Sequence, residues 1–196
     1  MIKRTLYYAV LAFFAQLAVA QKVTWDDQYL IQLEDFQNAG TEINDQLASY
    51  SLSAGTYMEF AMKKNAYAFA FSRGFNEYTS AIFNKSSAML IAPDSMIADQ
   101  LLMFARYSFD LTELYTRRFR QRMYEEKGPF SKVDFYQPIF EEINNELGTE
   151  HARVLKLTDL GREESILRAE HQKVREQIIE LSDFCKGCKL PKKRKK

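Results

Sequence analysis

Residues 29–50 read YLIQLEDFQNAGTEINDQLASY, and how this stretch is read decides the fold. Apolar or small residues fall at Tyr29, Leu33, Phe36, Gly40, Ile43, Leu47 and Tyr50, at alternating intervals of four and three. Those intervals put all seven on one helical stripe with the spacing of a coiled-coil seam, so the stretch reads as a long helix.

The rhythm continues toward the C-terminus. Tyr57, Phe60, Lys64, Tyr67, Phe71, Phe75, Tyr78 and Ile82 form a second stripe, separated from the first by SLSAGT at 51–56, which reads as a turn or a weak spot. The YAFAF run at 67–71 alternates with period two, the signature of a strand. The longer three-four pattern passes through it, however, and its alanines favour helix. A third stripe holds Ile97, Leu101, Phe104, Leu111, Tyr115, Phe119 and Met123. Asp94 or Ser95 can cap a helix starting near Met96, and Gly128 followed by Pro129 ends it. Residues 130–137 read as a connector, with Pro138 in a first helical turn. Beyond Ile139 the pattern is helical through Leu181, and Gly148 and Gly161 allow one kinked helix or two.

These stripes predict an all-α fold, an antiparallel bundle of four or five long helices over residues 21–185. Phe36, Ile43, Leu47, Phe71, Phe75, Leu101, Phe104, Leu111, Val154, Leu167, Val174 and Ile178 are the expected core. The Lys/Arg-rich residues 186–196 have no periodicity and are expected to be a disordered tail. The chain has 196 residues, 46% of them hydrophobic, with 7 Gly, 4 Pro and 2 Cys. That describes one domain and excludes a disordered, fibrous or disulfide-framework protein.

At the N-terminus, Lys3 and Arg4 precede an apolar run at 6–15, and Ala18-Val-Ala20 follows Gln16. This is the layout of a secretory signal peptide over residues 1–20, with cleavage between Ala20 and Gln21. Its apolar part, from Thr5 to Ala20 and interrupted by Gln16, is shorter than the ~20 residues of a helical membrane span. The expected location is therefore outside the cytoplasm, periplasmic or extracellular. Losing residues 1–20 removes two of the 27 basic residues and none of the 26 acidic ones, for a net charge of −1. Seven of the remaining cations lie beyond residue 185 with no acid among them, so residues 21–185 carry −8. An acidic body thus precedes a cationic tail.

Few residues suggest chemistry. Glu-x-x-His pairs of the di-metal bundle type are absent, since Gly148 and Arg168 stand three positions before the only histidines, His151 and His171. His171 lies on the seam of Leu167, Val174, Ile178 and Leu181 and is expected to be a hydrogen-bonded interior residue, whereas His151 beside Glu150 reads as surface. No Ser or Cys can be set beside a histidine from spacing, so no catalytic set and no cofactor or metal site is expected. Cys185 and Cys188 form a single C-x-x-C after the last helix, where the dipole disfavours a reactive thiolate, and read as a local disulfide. Lys189, Lys192, Lys193, Arg194, Lys195 and Lys196 form a polycation suited to an anionic membrane surface. Their resemblance to a nuclear-import signal conflicts with the leader. Arg117, Arg118, Arg120 and Arg122 interleave with Tyr115, Phe119 and Tyr124, a pattern that nucleic-acid patches share. Pairing with Glu141, Glu142, Glu146 and Glu150 of the next helix accounts for them better in an acidic body. Asn84-Lys-Ser86 is a glycan acceptor sequence.

The functional expectation is an exported, non-enzymatic helical protein that binds a protein partner or an anionic envelope surface, with helical faces also suited to a homo-oligomer. A redox or metal protein using Cys185 and Cys188 is the alternative. A nucleic-acid-associated protein comes third.

Overall fold

The computed structural model describes residues 21–62, 69 and 74–190. Its backbone is one long helix, α1 (Ser95–Glu126), buried along most of its length. The Asp94 carboxylate accepts the Ile97 amide at 2.8 Å, which satisfies one of the free donors of the first turn. Inside α1 the hydroxyls of Ser108, Thr112 and Thr116 each donate to the carbonyl four residues back, so polar groups sit in the core without loss. Two further helices, α2 (Tyr136–Thr158) and α3 (Glu164–Glu180), pack on one flank of α1. The chain leaves α2 through Asp159, Leu160 and Gly161, all with positive φ. A Cβ on Gly161 would lie 2.5 Å from the Gln100 carbonyl oxygen, so this break requires glycine. Residues 139–184 therefore hold two helices, and Gly148 lies inside the first.

The other flank of α1 carries strands. β1 (Lys22–Thr24), β5 (Thr79–Asn84) and β4 (Thr56–Phe60) form an antiparallel sheet in the order β1-β5-β4. A second sheet has the order β2-β6-β3, built from β2 (Glu42–Ile43), β6 (Met89–Ala92) and β3 (Ser51–Ser53), with β2 parallel to β6. The all-α bundle of four or five helices is thus corrected to three helices and two small sheets among the described residues. The coiled-coil reading falls with it.

The error lies in residues 29–50. Asp35 accepts the Gln32 amide, Asn38 that of Gly40 and Asn44 that of Gln46, each with a side-chain oxygen. These local turns compete with helical hydrogen bonds and cut the segment into a 3-10 turn (Leu33–Asp35), loops and the short β2. A Cβ at Gly40 would meet the Met89 sulfur at 2.8 Å, so the flexible Met89 side chain would have to shift. Ile43 is consequently exposed and Leu47 half-buried, while Phe36 is buried. In the second stripe, β4 and β5 pair from Thr56 with Phe83 to Phe60 with Thr79. Because β5 is buried through its first five residues, it shows no alternation to betray it. Phe71 and all of the YAFAF run except Phe69 lie outside the described residues; Phe69 is fully buried. The other expected core residues, from Phe75 to Ile178, are buried.

The tail expectation is corrected in part. Gly187, with positive φ, turns the chain after a 3-10 segment (Ser182–Phe184), and Leu190 sits beside Gly74. Asn76 donates to the carbonyls of Asp183 and Cys188, and Arg120 to that of Phe184, which clasps residues 183–190 onto the body. Residues 191–196 and 1–20 lie outside the described residues. No helix among the described residues is long and apolar enough to cross a membrane.

Candidate functional site

The register of β4 with β5 fixes which backbone groups are left over. Asn84 donates to the Gly55 carbonyl and Ala61 to that of Tyr78, so residues 55, 57, 59 and 61 spend their polar groups on β5. The N–H and C=O groups of Thr56, Met58 and Phe60 point the other way, off the sheet, and no described residue bonds to them. Along this edge two hollows separate β4 from α2, and neither β1 nor β5 contributes to them. The larger, about 550 Å³, lies between the β3–β4 turn with Thr56 and Tyr57 on one side and Asn144, Leu147, Gly148 and His151 of α2 on the other. Thr112 of α1 also lines it. The smaller, about 350 Å³, is bounded by Phe60, Tyr136, Phe140 and Glu141. Phe60 and Tyr136 touch there with ring centroids 4.6 Å apart.

Two glycines shape the groove. Gly55 turns β3 into β4 at φ +65°, and a Cβ on it would lie 2.8 Å from the Asn84 carbonyl oxygen. Gly148 has nothing within 4 Å of where its Cβ would stand, so α2 is cut away where it faces the larger hollow.

His151 corrects a surface assignment. Its Nε2 is 3.1 Å from the buried Ser108 hydroxyl, and its ring stands edge-on to Phe104 with centroids 5.3 Å apart. Burial pushes the imidazole below its ordinary pKa, so it is neutral at pH 7. Ser108 and His151 are 43 positions apart, so spacing did not reveal the pair. Ser108 is 1% exposed and also bonds the Phe104 carbonyl, so its hydroxyl is closed off from any substrate. Among the described residues no three His, Cys, Asp or Glu side chains come together as metal ligands.

His171 lies where the seam placed it, with Nε2 2.7 Å from Asp110. Asp110 also accepts the Trp25 indole N–H at 2.7 Å and contacts Arg175, which continues to Asp27. Burial works to raise the Asp110 carboxyl, but the bonds from His171 and Trp25 outweigh it and hold it below the usual carboxylate range.

The arginine cluster divides. Arg122 pairs with Glu142 at 2.8 Å, as a helix-to-helix contact, and Arg118 bonds Gln177. Arg117 and Arg120 turn inward to Glu113, a buried carboxylate that sequence reasoning missed although Glu113, Arg117 and Arg120 follow the i, i+4, i+7 spacing of one face. Two of the four cations are therefore unavailable to a nucleic acid.

Cys185 and Cys188 are joined as a disulfide, with Cα atoms 5.2 Å apart. Lys189 is exposed, whereas Lys192, Lys193, Arg194, Lys195 and Lys196 lie outside the described residues. Ala20 lies outside them too, and the Gln21 carbonyl already accepts the Lys85 amide at 2.8 Å. In the acceptor sequence, Asn84 is half-buried and its side-chain oxygen takes both the amide and the hydroxyl of Ser86. No known protein family, curated protein or solved structure matches the chain.

Proposed function

We propose that the protein is an exported, non-enzymatic binding protein that takes an extended segment of a protein partner as an added strand along β4. The observation that carries this reading is the row of N–H and C=O groups of Thr56, Met58 and Phe60 that β5 leaves unused beside the β4–α2 hollows, with Thr56 and Phe60 half-buried and Met58 buried between them. Such an edge supplies affinity through main-chain bonds, and flanking pockets that accept alternate side chains supply selectivity. Asn144 and His151 offer polar contacts in the larger pocket. Glu141 borders the smaller one on the acidic face of α2, which favours a segment carrying Lys or Arg. In this reading the leader sends the chain out of the cytoplasm, and the basic residues from Lys189 to Lys196 hold it at an anionic surface.

Selection of displayed random peptides on the purified chain tests the reading when Gly148→Leu is screened in parallel. The leucine fills the larger hollow without meeting a neighbour at its Cβ. Peptides enriched on the wild type and lost on Gly148→Leu support the groove. No enrichment, or equal binding by both, refutes it. Export is tested by sequencing the purified protein, whose N-terminus is expected at Gln21 and not at Met1.

A further inference from the structure

A separate hollow of about 250 Å³ lies on the opposite side of α1, where the segment after β1 crosses α1 and α3. Most of its charges are already spoken for. Arg175 is shared between Asp27 and Asp110, and Asp110 is further held by His171 and the Trp25 indole. Arg106 is different. It is half-buried and makes no ion pair among the described residues, and it gives one good hydrogen bond, from Nε to the Ile31 carbonyl at 2.9 Å. Its Nη2 reaches Gln32 only at 3.5 Å, which leaves most of the guanidinium fork unused. Burial disfavours the charge on this side chain, and the Asp99 carboxylate partly offsets it. A half-buried guanidinium with unused N–H donors gains most from an anion that matches its planar fork.

The remaining wall is apolar. Ile31 and Phe109 are buried at the hollow, and Leu30 is 54% exposed beside it. A simple inorganic anion would leave the exposed Leu30 side chain uncovered.

We infer that this hollow is a binding site for a small carboxylate with an apolar body, its carboxylate on the Arg106 fork and its hydrocarbon against the exposed Leu30 side chain. The site is independent of the β4 groove. Its volume suits a ligand of roughly ten non-hydrogen atoms, well below the usual drug-sized pocket. Binding would join the segment at 27–32 to α1 and α3 and so slow its local opening.

The test is titration of the folded chain with benzoate, followed by calorimetry and by amide chemical shifts. Benzamide, of similar shape without charge, and inorganic phosphate, charged without an apolar body, are titrated alongside. Saturable benzoate binding with shifts at residues 29–32 and 106–110, at least about tenfold tighter than benzamide or phosphate, is the expected result; tenfold corresponds to one charge-assisted hydrogen bond. Arg106→Gln should weaken benzoate by about tenfold or more. Since that change also touches the Ile31 bond, Leu30→Glu is the second variant: it alters an exposed side chain and should weaken benzoate severalfold with the melting temperature unchanged. Phosphate binding as tightly as benzoate would overturn the ligand class, and absence of saturable benzoate binding would overturn the site. Benzoate binding left intact in Leu30→Glu would overturn the placement of the hydrocarbon.

Discussion

The indole N–H of Trp25 donates to the Asp110 carboxylate at 2.7 Å across 85 positions of sequence, tying the first described segment to the centre of α1. With His171 and Arg175 on the same carboxylate, this is where the N-terminal segment, α1 and α3 are held together.

Because the Asp110 carboxyl is held below its ordinary range when folded, its contribution is present above the unfolded value of about 4 and is lost as pH falls through the folded value. Urea unfolding at pH 7 and through the acid range should therefore show a loss of stability below about pH 4 that Asp110→Asn lacks in part. Asp110→Ala should cost about 3 kcal/mol at pH 7, the scale of losing hydrogen bonds to a buried charge. An acid limb identical in Asp110→Asn and wild type would contradict this.

Glu113 lies 2.8 Å from Arg117 and 3.1 Å from Arg120, and all three side chains are buried. Glu113→Ala would leave two guanidiniums without their anion and should destabilise by about 3–5 kcal/mol. Arg120 also binds the carbonyls of Thr79 and Phe184, so Arg120→Met should free the C-terminal clasp before the rest unfolds. Chemical denaturation measures the first effect and amide exchange at 182–190 the second.

Two glycines should respond to alanine with opposite sign. Gly148 lies within α2 with open space at its Cβ, so Gly148→Ala should stabilise by about 1 kcal/mol through helix propensity. Gly161 has φ +99° and the Gln100 carbonyl in the way, so Gly161→Ala should cost at least about 1–2 kcal/mol. Thermal unfolding of the pair decides it, and the same sign for both would refute the account of the α2–α3 break.

The loop closed by Cys185 and Cys188 is short, so its bond should add only about 2 kcal/mol on chain-entropy grounds. Replacing both cysteines with serine should speed amide exchange mainly at 182–190 and leave α1 unaffected. Protein taken from an oxidising compartment should show no free thiol until it is reduced. Free thiols in such a sample would contradict the expected disulfide.

The helix from Met96 was legible because cap, stop and period agree, with Asp94 before and Gly128-Pro129 after, whereas the period beyond Ile139 runs through both Gly148 and Gly161 and did not say which of them breaks it. Residues 29–50 were misread because a three-four spacing of apolar residues also arises in loops, where Asp35, Asn38 and Asn44 bond their own backbone and override the period. The β4 edge was hidden for a different reason. The groups that β5 leaves unused are defined only by register with residues 79–84, a long-range pairing that local pattern does not encode. Likewise, Ser108 meets His151 only because α1 and α2 pack together.

The most direct test of the central claim is hydrogen exchange of the β4 amides with and without a peptide selected on the wild-type chain. Slowed exchange at Thr56, Met58 and Phe60, whose N–H groups face away from β5, is the expected result. Binding that leaves these three amides unchanged while protecting residues elsewhere would contradict it.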